Sequence, residues 1–286
     1  MTRYFHGLSS LYLAVFLLSL NGLFAKLIPL DATSITQLRS LIAVGAFLLF
    51  CRFRRRPLRL QCVNQFLGVY ALGILLGLHW ATFFHAMQVS TVAVGMLSLF
   101  SFPIITILLE PFFIKEKLKL KDFSAGLIVL LGVAVMVSSS VTDIRGSVFQ
   151  GVFWGVMSAI LFSLRNLIQK YHYSSVPSDR LMFHQVIAVS LMLLPFIDIS
   201  KISLMSSTNW TVLLMLGVLS TATAHTLLTY SLKQLPAKSV ALIGCSQPLI
   251  ASILAWLVMQ EIPQLSVAIG GGIILSVAIY ESLQKR

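Results

Sequence analysis

Charge is scarce in this 286-residue chain, at 10% of residues, and acidic charge is scarcest: nine Asp plus Glu stand against 21 Lys plus Arg. With 57% of residues hydrophobic, too few polar side chains remain to coat a soluble globule of this size. Cysteine is nearly absent as well. Cys51 and Cys62 flank a basic loop, Cys245 sits in an apolar run, and no metal-ligand spacing joins the three, which argues against a disulfide framework and a metal site. The G-x4-G-K-[ST] phosphate-binding pattern does not occur, so any energy source is expected to be a gradient, and no cofactor is expected.

Long apolar runs are what the chain does have. A crossing helix needs about 20 apolar residues, and runs near 8–28, 34–50, 64–86, 91–113, 122–139, 149–169, 181–198, 210–232, 236–259 and 264–281 predict an all-α integral membrane protein of ten transmembrane helices. The connections left over are too short for a soluble domain. The first run is longer than a signal-peptide core of about 7 to 15 residues and reads as a retained span. Alternate connections collect Arg52, Arg54, Arg55, Arg56 and Arg59, then Lys115, Lys117, Lys119 and Lys121, then Lys170 and Arg180, then Lys233 and Lys238, with Lys285 and Arg286 on the same side. The other side holds only Arg145 and Lys201, with Lys26 at its border. The positive-inside rule then places both termini in the cytoplasm of a multi-pass inner-membrane protein. The same basic loops suit the anionic headgroups of the bilayer, so nucleic acid is not expected as a partner.

The chain also repeats. Pro103 aligns with Pro248, Glu116 with Glu261 and Gly126 with Gly271, all 145 residues apart, and Ile42-Ala43-Val44 matches Ile187-Ala188-Val189. One residue of slip pairs Gly7, Ser19 and Lys26 with Gly151, Ser163 and Lys170. Each half, residues 1–145 and 146–286, carries five spans. An odd number sends the second half into the membrane with opposite polarity, giving two five-helix inverted-topology repeats, the architecture of a carrier. A duplication kept for packing alone is the competing explanation.

The stretch from Gly77 to Gly132, GLHWATFFHAMQVSTVAVGMLSLFSFPIITILLEPFFIKEKLKLKDFSAGLIVLLG, resembles the drug/metabolite transporter superfamily, and within it the EamA-type branch. The resemblance rests on an aromatic-rich third span, a small-residue fourth span with a central proline, a Glu followed by a basic residue, and a fifth span with spaced glycines. SVALIGCSQPLIASILAWLVMQE, from Ser239 to Glu261, echoes these elements, and LNGLFAK at Leu20 to Lys26 is similar to the family's first span. The resemblance covers nearly the whole chain and implies a transporter of metabolites. One departure is that Lys115 and Gln260 stand where the family places a small residue before the loop Glu.

Candidate site residues follow from what is costly in a bilayer. Pro103 and Pro248, mid-span in the fourth and ninth runs, would free backbone polar groups at membrane depth and are the candidate helix breaks or gates. Beside them lie Ser98, Ser101 and Phe102 in one half and Cys245, Ser246 and Gln247 in the other. Hydroxyls and an amide can hold a small polar solute or serve as interhelical glue. Ionisable residues within spans each need an explanation: Arg39, His79, His85, Glu110, Arg165, His184 and His225, with Asn21 and Asn166 as neutral company. His79 and His225 titrate near neutrality when unperturbed and are proton-coupling candidates alongside Glu110, or else imidazoles bonded to a neighbouring helix. Pairing with a loop lysine is the leading expectation for Glu110. Arg39 is a candidate for a substrate carboxylate or for a pair with Asp31, and Arg165 for attracting anions, with Trp80, Phe84, Phe100 and Phe102 as an aromatic wall. The Gly151-x3-Gly155 and Gly73-x3-Gly77 pairs predict close helix contacts.

The expected function is a secondary active transporter exporting a small metabolite, an amino acid or related compound, by alternating access coupled to a proton gradient, as a monomer or homodimer. An importer or exchanger of a larger nucleotide-like or sugar-linked metabolite is the alternative within transport. A membrane enzyme or an assembly or regulatory partner is the alternative outside it.

Overall fold

The structure is a computed structural model that describes residues 2–90, 92–137, 147–197, 199–202, 204–260 and 265–283. Among the described residues every regular element is helical. In chain order these are α1 (Thr2–Leu27), α2 (Ala32–Arg54), α3 (Val63–Val89), α4 (Val92–Leu99), α5 (Phe102–Ile114), α6 (Leu120–Val137), α7 (Ser147–His172) and α8 (Ser178–Leu193). They are followed by the short α9 (Ile199–Ile202), α10 (Ser207–Met215), α11 (Ala224–Gln234), α12 (Ala237–Gly244), α13 (Gln247–Met259) and α14 (Leu265–Leu283). The π-helical segment Leu216–Thr223 joins α10 to α11 without a break.

Among the described residues, eight helical runs are long and apolar enough to cross a membrane, lying in α1, α2, α3, α7, Ser178–Phe196, Ser207–Gln234, Ala237–Val258 and α14. Their outer faces carry large apolar side chains in the open, such as Leu49, Leu67, Phe149, Leu191 and Leu257. In water such a surface would aggregate, whereas hydrocarbon covers it. The runs near 91–113 and 236–259, expected as single spans, are each two helices: α4 and α5 separated at Phe100 and Ser101, and α12 and α13 separated at Cys245 and Ser246. The two broken elements match residue for residue, since a shift of 145 carries Val92–Leu99 onto Ala237–Gly244 and Phe102–Ile114 onto Gln247–Met259. The same shift carries Thr2–Leu27 onto Ser147–His172. Glu261, Arg145, Lys285 and Arg286 lie outside the described residues, as do the side chains of Lys26 and Lys201.

Both α5 and α13 end on a left-handed residue, Lys115 at φ 54° and Gln260 at φ 58°. Only glycine takes that conformation without cost, which explains why a small residue suits this position. Glycine serves packing elsewhere. A Cβ on Gly73 would lie 2.5 Å from the Ala188 Cβ and 2.9 Å from the Gln185 carbonyl, so α3 and α8 touch through their backbones. On α7, Gly151 abuts Ser90 and Gly155 abuts Ser98. Both glycine pairs therefore make the close contacts that their spacing predicts.

Candidate functional site

The two helix breaks face each other. Phe100 and Phe102 of the first break pack in one cluster with Ala241, Leu242 and Cys245 of the second. Each proline occupies the first turn of a new helix, Pro103 in α5 and Pro248 in α13, where a missing N–H costs nothing. The break carbonyls are not left free. Ser163 on α7 donates to the Phe102 carbonyl at 3.1 Å, and Ser19 on α1 donates to the Gln247 carbonyl at 3.1 Å. The repeat-related serines thus serve repeat-related carbonyls. Neighbouring serine hydroxyls thus satisfy these two break carbonyls, as they would in a kink held by packing.

The side chains beside the breaks are similarly engaged. Ser98 bonds back to the Val94 carbonyl at 2.7 Å and Ser101 to the Ser98 carbonyl at 2.6 Å. Phe102 is buried edge-on to Phe162, and Gln247 donates to the Leu18 carbonyl at 3.5 Å.

Deeper polarity gathers on α2, α3, α7 and α11. The Arg39 guanidinium lies over Trp80, 4.2 Å from the ring centroid, and reaches the Asn21 amide oxygen at 3.5 Å. Trp80 also meets His225 edge to face at 5.5 Å. Arg39 and His225 are 5% and 4% exposed, yet Arg39 Nε and His225 Nδ1 have no hydrogen-bond partner. Gln37, fully buried two residues before Arg39 and on another face of α2, also leaves both amide atoms without a partner. Around Trp80 the chain has thus left hydrogen-bonding capacity of Arg39 and His225 unused.

Arg165, with no exposed surface, is held by neutral groups. Its Nε donates to the Gln185 amide oxygen at 2.9 Å and one terminal nitrogen donates to the Asn166 amide oxygen at 2.9 Å. Gln185 passes a bond to Gln169 at 2.8 Å, and Gln169 passes one to Thr229 at 3.1 Å. Thr229 is one turn beyond His225 on α11, so both arginine systems converge on one helix face. Sequence reasoning missed Gln37, Gln169, Gln185, Ser158 and Thr229, although an amide in an apolar span was the available signal.

His79 and Glu110 have settled partners. His79 stacks on Phe162, and its Nδ1 lies 2.7 Å from the Ser158 hydroxyl. That hydroxyl spends its proton on the His79 carbonyl, so Nδ1 carries the hydrogen and donates. Glu110 accepts from the Tyr171 hydroxyl at 2.6 Å and from the backbone N–H groups of Ala237 and Lys238 at 2.8 and 3.1 Å. Those N–H groups open α12, whose N-cap, Pro236, has no side chain able to accept. Glu110 is therefore a cap supplied by another helix, in place of the expected ion pair with a loop lysine. The Lys238 ammonium instead bonds to Asp122. Lys170 closes the end of α11 by donating to the Leu232 carbonyl at 2.7 Å and to Leu235. A cavity of about 330 Å³ lies among Glu110, Lys119, Asp122, Lys170, Tyr171 and Lys238.

The fold has been seen before. A solved crystal structure superposes with a TM-score of 0.81 over 97% of this chain and 95% of its own, at 16% identity, which speaks to architecture alone. An uncharacterized transporter of Bacillus subtilis, YxxF, is 26% identical over 239 residues, covering 82% of this chain and 75% of its own length. Another uncharacterized transporter, from Archaeoglobus fulgidus, is 26% identical over 273 residues, covering 95% and 94%. The EamA-like transporter family model matches twice, over residues 6–138 and 149–280, each match containing one of the two broken helices. On that double match across nearly its whole length, this chain is a member of the EamA-like transporter family.

Proposed function

We propose that this membrane transporter is a secondary carrier of a small metabolite, an amino acid or related compound, which it exports across the cytoplasmic membrane by alternating access. Its two halves form five-helix bundles of opposite orientation, with α4–α5 and α12–α13 each acting as one crossing, ten in all. The observation that carries this reading is the facing pair of helix breaks beside a buried, incompletely bonded polar cluster. The exposed arginines of Arg52–Arg59 support cytoplasmic termini.

His225 is the proton-coupling residue in this reading. Its Nδ1 is unpartnered, whereas His79 is committed to Ser158 and Glu110 to α12. The groups around it are Trp80, Arg39, Arg165 and His79, so any solute charge entering there acts directly on its proton.

The test uses proteoliposomes loaded with a mixed pool of amino acids and small metabolites, with flux read by mass spectrometry, with and without an imposed pH gradient. Gradient-stimulated movement of one chemical class is expected. H225Q should abolish the stimulation and retain counterflow exchange. Equal flux with and without the gradient would make the histidines structural, and no flux from folded protein would overturn the carrier reading.

A further inference from the structure

Two arginines lie buried in the bundle, one in each half. Arg39 on α2 reaches the Asn21 amide oxygen on α1, and Arg165 on α7 donates to the Gln185 amide oxygen on α8 and to that of Asn166, the residue 145 positions after Asn21. Each guanidinium is thus bonded to an amide across the first two helices of its half.

Neither guanidinium has an acid among the described residues. Among the described residues no carboxylate lies within ion-pair distance of Arg39 or Arg165, and each described acid is engaged elsewhere. Glu110 caps α12, Asp122 holds Lys238, Glu281 accepts from Ser239, Asp31 caps α2, Asp179 pairs with Arg56 and Glu116 with Lys119. Cations buried without countercharge are costly, and amide oxygens supply only dipoles. Arg39 keeps a free Nε, which can only donate, and His225, which shares Trp80 with it, keeps a free Nδ1. The buried guanidiniums of Arg39 and Arg165 leave positive charge without a counter-ion among the described residues.

We propose that the solute of this site is a carboxylate-bearing organic anion of net negative charge, recognised by Arg39 and Arg165. This rests on the carrier reading above and narrows it: a carboxylate would take the donors that Arg39 and His225 leave unused, by charge-assisted hydrogen bonds. An ammonium group would meet two guanidiniums and no carboxylate, so a neutral zwitterion is disfavoured against an acidic one. Efflux of such a solute carries negative charge outward and is driven by an inside-negative membrane potential.

The purified full-length chain is titrated with succinate, with its neutral diamide succinamide, with glycine and with inorganic phosphate, following intrinsic tryptophan fluorescence and thermal stability. Succinate is expected to bind at least tenfold more tightly than succinamide or glycine. R39Q should weaken succinate binding at least tenfold and leave succinamide unchanged. R165K, which keeps the charge, should retain most of the preference should R165Q fail to fold. In proteoliposomes, an inside-negative potential should accelerate succinate efflux at least several-fold. Equal binding of succinate and succinamide, or tighter binding of phosphate than succinate, overturns the carboxylate assignment. Potential-insensitive transport of glycine or succinamide overturns it too while leaving the carrier standing. Selective succinate binding with no flux of any compound overturns the carrier and, with it, the transported anion.

Discussion

Removing the Glu110 carboxylate should measurably loosen the end of the bundle where α5 meets α12. Glu110 on α5 in the first half accepts from two N–H groups that open α12 in the second half, and from Tyr171 on α7. Hydrogen bonds to a charged acceptor contribute about 1.5–3 kcal/mol each, and an ordinary one about 1 kcal/mol. Taking the low end, Glu110→Ala removes about 3–4 kcal/mol from any state in which α5 and α12 meet. In the proposed alternating-access cycle, with this end facing the cytoplasm, these ties must break when the site opens inward, so the loss would be borne by the state closed at this end. At about 1.4 kcal/mol per tenfold, the ratio of inward-open to closed protein should rise by about two to three orders of magnitude. Glu110→Gln, which keeps one acceptor oxygen, should show roughly a tenfold rise. The chain carries its own reporter in Cys245, fully buried at the second break. With Cys51→Ala and Cys62→Ser removing the other thiols, a membrane-impermeant maleimide applied to inside-out vesicles should label Cys245 slowly, and much faster once Glu110→Ala is added. Labelling of correctly inserted Glu110→Ala at the parental rate would mean that these bonds persist throughout the cycle, and would refute the gate.

Two further predictions concern the backbone. A Cβ on Gly217, in the π segment, would lie 2.5 Å from Ile42 Cγ2 and 3.1 Å from the Arg39 carbonyl, whereas one on Gly272 meets nothing within 4 Å. Gly217→Ala should therefore displace α2 at Arg39, lowering solute affinity and costing about 1–3 kcal/mol by overpacking, while Gly272→Ala should bind as before; binding titration and thermal melts of both variants check this. Lys115→Gly and Gln260→Gly relieve left-handed residues at matching helix ends, and each should stabilise the chain by up to about 1 kcal/mol, raising the melting temperature. A fall in melting temperature for both would show that their side chains contribute more than the backbone conformation costs.

Hydropathy made the membrane-crossing runs legible, because a bilayer selects for continuous apolar length, and the repeat was legible because Pro103 and Pro248 kept their spacing. The position of the breaks was less so. Proline reads as a kink within a helix, whereas here it starts a second helix after an interruption that Phe100–Ser101 and Cys245–Ser246 do not announce by residue type. The π segment gave little warning beyond its run of small residues, Gly217, Ser220, Thr221, Ala222 and Thr223. Among the site candidates, Arg39, Trp80 and His225 do come together, and Arg165 joins them through Gln185, Gln169 and Thr229. Those last three escaped notice because an isolated amide or hydroxyl in an apolar span says nothing about its partner.

The serine bonds at the breaks suggest where the moving parts divide. Ser163 belongs to the second half and holds a carbonyl of the first, while Ser19 belongs to the first and holds a carbonyl of the second. Each break is thus tied across the halves by a neutral hydrogen bond with a net contribution of about 1 kcal/mol. Such a bond satisfies buried backbone and is weak enough to exchange during a conformational step. The ties at the Glu110 end are of another kind: a carboxylate on two helix-opening N–H groups, an Asp122–Lys238 ion pair, and Lys170 on the carbonyls ending α11. In the proposed transport cycle, charge-assisted bonds at that end and neutral ones at the centre would make the centre the pivot and the Glu110 end the latch. A solute anion between Arg39 and Arg165 would bind next to that pivot, where a small displacement of either half alters its contacts with both.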